Sequence, residues 1–222
     1  LEKPKEEKYQ FFGKYKIVKP TEWKRFDTKE QAGREIAWET KASHPSGYGY
    51  EYAKTVSLAP EGGEAPIVLI AHKLVNTGTK PIVTDVYNHN FFNVDGDPVG
   101  SNYSFAFPFD AKAMDEKGKF GELVELKQRE LRFKDKLIDG FVMAGLAGFD
   151  PVKAAHRGFE MRHTRSGVRV DVYQTQPYSK FNIWGIKTTI CPEPYTAIEL
   201  KPGEQMVWAV GYTFTHDPPK KP

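Results

Sequence analysis

Two side chains in this sequence sit among neighbours suited to proton transfer. The first is His89, in the run Tyr87-Asn88-His89-Asn90-Phe91-Phe92-Asn93-Val94-Asp95-Gly96. Read as a strand, alternation places Asp85, Tyr87, His89 and Phe91 on one side. An imidazole titrates near neutrality, with an unperturbed pKa of ~6.5. The amides of Asn88 or Asn90 could hydrogen-bond a polyol or fix the imidazole tautomer. The rings of Tyr87 and Phe91 could stack on the apolar face of a sugar ring. A core histidine with a satisfied hydrogen bond fits the same residues. The second is Glu193, in Cys191-Pro192-Glu193-Pro194-Tyr195. Two prolines remove two backbone donors, so the expectation is a strand that deforms at Glu193 and holds its carboxylate over a cleft. A surface glutamate at a strand end is the plainer alternative.

The elements around these residues read as strands. Valines alternate with polar residues from Val168 to Tyr173, and Trp208, Val210, Tyr212 and Phe214 share one face. Ile67 to Val75 is a near-continuous apolar run, expected of a strand covered on both sides. Ile82 to Val94, Arg34 to Lys41 and Tyr50 to Leu58 are further strands. Asn76-Thr77-Gly78-Thr79-Lys80-Pro81, Asp95-Gly96-Asp97-Pro98 and Lys201-Pro202-Gly203-Glu204 supply the turns. Thr28 to Ile36 and Gly121 to Phe133 could be helical by composition, although Val124 and Leu126 alternate with polar neighbours and favour strand. Short strands at such spacing predict an all-β sandwich or barrel with few or no helices. No linker divides the chain, so residues 1–222 are expected to form a single domain. Within it, 1–20 is a partly solvated segment and 217–222 a tail.

Composition narrows the function. Of 222 residues 39% are hydrophobic and 14% aromatic, enough for a substantial core. A net charge of +3 with both signs interspersed leaves no nucleic-acid footprint. No apolar run approaches the ~18 residues of a membrane helix. The single cysteine, Cys191, rules out an internal disulfide. It could in principle be a nucleophile with His89 as base, but a lone cysteine on an apolar strand is more often a small core residue. The spacing of histidines, cysteine and acids matches no metal motif, and no phosphate-binding loop is present, so neither metal nor cofactor is expected. The first residues are charged, lack a signal-peptide core and say nothing of localisation.

In order and rough spacing, these motifs resemble the aldose 1-epimerase (galactose mutarotase) family. Asn88-His89-Asn90-Phe91-Phe92-Asn93-Val94-x-Gly96 is similar to that family's Asn-His-Thr-Tyr-Phe-Asn-Leu-x-Gly. Ser166 to Pro177 resembles the run leading to its Thr-x-Gln-Pro element. Cys191-Pro192-Glu193-Pro194 is similar to its Cys-Leu-Glu-x-Gln, and Leu200 to Glu204 to its Leu-x-Pro-Gly-Glu. The resemblance runs from about Arg34 to His216. It implies a supersandwich of large antiparallel sheets and a small-molecule sugar or carbohydrate as partner. It makes Glu193 the general base at the anomeric hydroxyl and His89 the general acid at the ring oxygen. It also implies sugar contacts from Asn88, Tyr87 and Trp184, and from Asp139 or Asp150.

The resemblance is incomplete. The family's second histidine and an arginine lie upstream of everything matched here. His44, His72, His156, His163 and His216 match none of its motifs, and prolines replace the usual neighbours of the glutamate. An upstream segment or a second chain would then complete the sheet. The rival from another class is a non-catalytic carbohydrate-binding module, or a domain associated with polysaccharide-processing enzymes, that stacks sugars on Trp184 and Tyr87.

Overall fold

The computed structural model describes residues 21–27, 34–58 and 67–217. Its strands are β1 (Trp23–Asp27), β2 (Glu35–Ser43), β3 (Gly49–Leu58), β4 (Ile67–Asn76), β5 (Ile82–Tyr87), β6 (Tyr103–Ala106), β7 (Lys112–Gly118), β8 (Val124–Lys127), β9 (Glu130–Phe133), β10 (Phe141–Ala147), β11 (Gly158–His163), β12 (Val168–Gln174), β13 (Lys180–Ile186), β14 (Thr189–Leu200) and β15 (Gln205–His216). A single helical turn, α1 (Phe120–Leu123), and a 3-10 turn at Ala154–His156 interrupt them. The strands form a ten-stranded sheet in the order β1-β2-β3-β4-β15-β12-β11-β6-β9-β8 and a five-stranded sheet in the order β5-β14-β13-β10-β7.

The fold is the expected all-β sandwich of large antiparallel sheets, and its core follows from alternation. Phe181 and Ile183 of β13, Val142 and Ala144 of β10, and Met161, Val170 and Val172 of the large sheet are buried. Between the sheets Phe181 meets Phe107, Phe159 and Tyr178 edge-on, with ring centroids 5.2–5.7 Å apart, the arrangement aromatic quadrupoles favour. Trp208, Val210 and Tyr212 share a buried face as expected, while Phe214 runs out towards solvent.

Three local expectations need correction, and the strand reading favoured for Gly121 to Phe133 holds over most of that stretch. Ile67 to Val75 forms β4 but is not covered on both sides: Ile67 and Leu69 are exposed on the outer face of the large sheet. Gly121 to Phe133 is mostly the β8–β9 hairpin, turning at Gln128 with φ 52°, and only one helical turn precedes it. Ile36 belongs to β2 rather than to a helix, whereas 28–33 lie outside the described residues, as do 1–20 and 218–222. The strand starting at Ile82 ends at Tyr87, so His89 lies just beyond the ladder.

A buried histidine makes the sandwich sensitive to acid. His72 on β4 is 4% exposed, stacks on Trp208 with centroids 4.9 Å apart, and faces the Tyr52 hydroxyl through Nδ1 at 2.6 Å. Its Nε2 has no hydrogen-bond partner among the described residues. Burial, helped by Lys54, lowers its pKa from 6.5 to about 4. Between those values the unfolded chain binds a proton that the folded chain refuses. The stability from this residue is therefore whole above pH 6.5 and lost as pH falls towards 4, by up to about 3 kcal/mol. Burial pushes His163 in the same direction. Urea unfolding at pH 7.5, 6, 5 and 4 should show this fall, and His72→Phe, which keeps the stacking, should flatten it; an unchanged acid limb would contradict the account.

Candidate active site

Strand β14 builds one side of the site. Its even positions face the core, with Ile198 and Leu200 buried, so Cys191, Glu193 and Tyr195 share the outer face of the small sheet. Register brings in the neighbours: Glu193 lies opposite Asn182, Cys191 opposite Trp184, and Tyr195 opposite both Lys180 on β13 and Tyr87 on β5.

The two prolines do not deform this strand. Ile190 exchanges both backbone hydrogen bonds with Phe92, so positions 190, 192 and 194 all turn their backbone groups to that side. There β5 has already ended at Tyr87. The donors that Pro192 and Pro194 lack fall in this gap, where no ladder bond is lost. The expected kink at Glu193 is absent, and a gap in the neighbouring strand opens the site instead.

Into the gap folds the segment that carries His89. Asn90 donates through Nδ2 to the Pro192 carbonyl at 2.9 Å, and Tyr212 of the large sheet donates to Asn90 Oδ1 at 2.6 Å. Asn88 donates to the same Tyr212 oxygen at 3.2 Å. Both neighbours of His89 are thus tied to one phenol, and the imidazole is turned outward. Tyr212→Phe would leave two amides without that partner, costing about 1–3 kcal/mol. The variant should unfold at lower urea; wild-type stability would show that the phenol ties nothing down.

The result is a compact polar cluster. His89 Nδ1 lies 3.4 Å from Glu193 Oε1, with the imidazole 39% and the carboxylate 8% exposed. The same Nδ1 meets Cys191 Sγ. The Tyr195 hydroxyl donates weakly to Glu193 Oε2 at 3.5 Å. Burial, reinforced by the Glu193 charge, pushes the Cys191 thiol and the Tyr195 phenol far above their ordinary values. This environment favours the protonated thiol, a hydrogen-bond donor rather than a nucleophile.

Aromatic rings surround the pair. Phe91, 58% exposed, stacks on His89 with centroids 4.0 Å apart. Trp184 meets both rings edge-on at 5.9 and 6.2 Å, and Tyr87 lies 5.5 Å from His89. A hollow of about 350 Å³ opens beside the cluster, lined by Met114, Lys117, Met143, Lys180 and Asn182 among others. It borders Glu193 through Asn182 but does not reach His89.

Of the residues expected from sequence, His89, Glu193, Tyr87 and Trp184 meet here. Asn88 spends its amide on Tyr212. Asp139 is an exposed partner of Lys119, and none of its described contacts reaches the cluster. Asp150 caps its own loop through Val152 N at 2.9 Å. Sequence reasoning missed Asn182, Tyr195 and Tyr212. Tyr195 was legible in part, because it stands two positions from Glu193 on the same strand; the other two needed the register.

No family model matches the sequence, and no curated protein matches it. Solved structures do. The chain is similar to the Slr1438 protein of Synechocystis sp. PCC 6803, with TM-score 0.62 at 11% identity, over 88% of this chain and 66% of that one. A GalM/aldose epimerase homologue from C. elegans gives 0.60 at 13% identity, over 87% and 68%. A galactose mutarotase related enzyme from Lactobacillus acidophilus gives 0.56 at 15% identity, over 90% and 72%. The fold is therefore galactose mutarotase-like, and the chain spans about two thirds of the length of these structures.

Proposed function

We propose that this protein binds an aldose on the outer face of its small sheet and interconverts the α and β anomers by acid/base ring opening. The observation that carries the reading is the 3.4 Å approach of His89 and Glu193 on an open, aromatic-rimmed face. Ring oxygen and anomeric hydroxyl share one carbon, so an acid and a base that address them must stand close together.

In the proposed reaction the Glu193 carboxylate takes the proton of the anomeric hydroxyl while His89 protonates the ring oxygen. The bond from C1 to the ring oxygen breaks and a C1 aldehyde forms. Rotation about C1–C2 exposes the other face of the carbonyl. On closure His89 recovers the proton from the attacking hydroxyl and Glu193 returns its proton to the carbonyl oxygen. Proton removal and delivery together avoid a free alkoxide beside a neutral leaving oxygen.

The cluster suits these roles. Glu193 and Cys191 occupy Nδ1, so the opposite nitrogen, Nε2, is the edge available to a sugar. As general acid the ring acts in its protonated form: one N–H faces the Glu193 carboxylate at Nδ1, and the other, on Nε2, is given to the ring oxygen and leaves a neutral imidazole. Tyr87, Phe91 and Trp184 offer faces for the C–H surface of a pyranose.

The hollow lies beside the pair rather than over it, and that favours a second reading, sugar binding without chemistry. Polarimetry of freshly dissolved α-glucose and α-galactose separates the two. The isomerase reading expects equilibration faster than in buffer for at least one sugar. Binding seen calorimetrically with buffer-rate mutarotation for both would replace it by the binding reading.

A further inference from the structure

We infer that His89, Cys191 and Glu193 form a binding site for a borderline-soft divalent cation of the Zn²⁺ type, a role that neither the fold nor the sequence spacing announces. Their ligand atoms all lie within 4.8 Å of one another, and this is the cluster of the kind found among the described residues. The donor set is one imidazole nitrogen, one sulfur and one carboxylate oxygen, the mixture that zinc accepts at about 2.0–2.3 Å. Cys191 and Glu193 are two residues apart on one face of β14 and are buried, so the strand presents them side by side. His89 is the adjustable ligand. It is exposed and outside the ladder, and a small withdrawal from Sγ makes room for an ion between the three.

Charge favours occupancy. A thiolate and a carboxylate together cancel a dication, and on binding the S–H bond gives way to an S–metal bond with the proton released to solvent. Burial opposes an isolated thiolate at Cys191, and the ion supplies the opposite charge that the interior withholds. Three protein ligands leave a fourth position for water on the exposed side, next to Phe91 and Trp184. The Tyr195 hydroxyl at Glu193 Oε2 and the Asn90 tie on the His89 segment form an outer shell that orients two of the three ligands. Metal binding does not depend on the isomerase reading. Where that reading holds, the ion and the acid/base pair use the same atoms, so metal and sugar exclude one another.

The test is a titration of the untagged protein with Co²⁺ under reducing conditions, followed by absorption. The expected result is saturation at one equivalent, with the visible bands of tetrahedral cobalt, a near-ultraviolet thiolate-to-cobalt band, and loss of both on adding Zn²⁺. Cys191→Ser should lose the near-ultraviolet band, and it should weaken cobalt binding at least about tenfold. Glu193→Gln preserves shape and keeps the thiol, and it should also bind at least about tenfold more weakly. Urea midpoints establish that each variant is folded. Absence of a saturable thiolate band in the wild type would overturn the proposal. So would either folded variant binding cobalt as tightly as the wild type.

Discussion

Glu193→Gln should slow catalysed mutarotation by about 10²–10⁴-fold while leaving the fold intact, because a positioned general base contributes a factor of that size. The substitution keeps the side chain's volume and its place opposite Asn182. It removes the negative charge that faces His89 Nδ1 at 3.4 Å and the only atom of the pair able to accept the anomeric proton. Rates from polarimetry, compared with the spontaneous rate in the same buffer, give the factor directly. A variant with wild-type acceleration would end the role of Glu193 as base, whatever the sugar. The charge change has a second, separable effect. The Glu193 carboxylate is among the causes that raise the Tyr195 phenol, after burial, and likewise the Tyr87 phenol. With glutamine in place, both tyrosines should titrate at lower pH in the ultraviolet than in the wild type.

Phe181→Ala should destabilise the protein by about 3–5 kcal/mol, the range for removing a fully buried aromatic ring. Phe181 is 0% exposed and touches Phe107, Phe159 and Tyr178, so its loss opens a cavity between the sheets that rigid strands close only in part. The neighbouring residue, Asn182, faces the site from the other side of the same strand. A shift of β13 towards the cavity would therefore also move Asn182 and Trp184 beneath the imidazole and carboxylate. Denaturant unfolding followed by tryptophan fluorescence measures the first effect. A loss below about 1 kcal/mol would mean that the sheets do not pack through this ring. A single transition, shifted as a whole, is what one domain would give.

The fold was readable because strand periodicity is local. The alternation of Val168, Val170 and Val172 and of Trp208, Val210 and Tyr212 marks buried faces without knowledge of any partner. Ile67 to Val75 misled for the same reason: apolar residues on both faces of a strand do not say whether a second layer lies over each. The segment after Tyr87 misled differently. Its β-branched and aromatic residues suggest a continuing strand, but the side chains of Asn88 and Asn90 bond to Tyr212 and the Pro192 carbonyl, and the backbone leaves the ladder after Tyr87. Asp139 fitted the resemblance by its neighbours, yet an exposed carboxylate pairs with whichever cation the hairpins bring near, here Lys119.

From the chain alone came the all-β class and the two chemical segments, because a two-residue repeat and a local motif need only the residues themselves; the shared face of Cys191, Glu193 and Tyr195 came with the unbroken pairing of β14. Tertiary structure decided the rest. His89 and Cys191, 102 positions apart, meet only through the pairing of β14 with β5 and the Asn90 tether beyond it. It also decided that Pro192 and Pro194 leave the strand unbroken, since whether a missing donor matters depends on which neighbour stands opposite. Register and edge are properties of paired strands, and no single strand carries them.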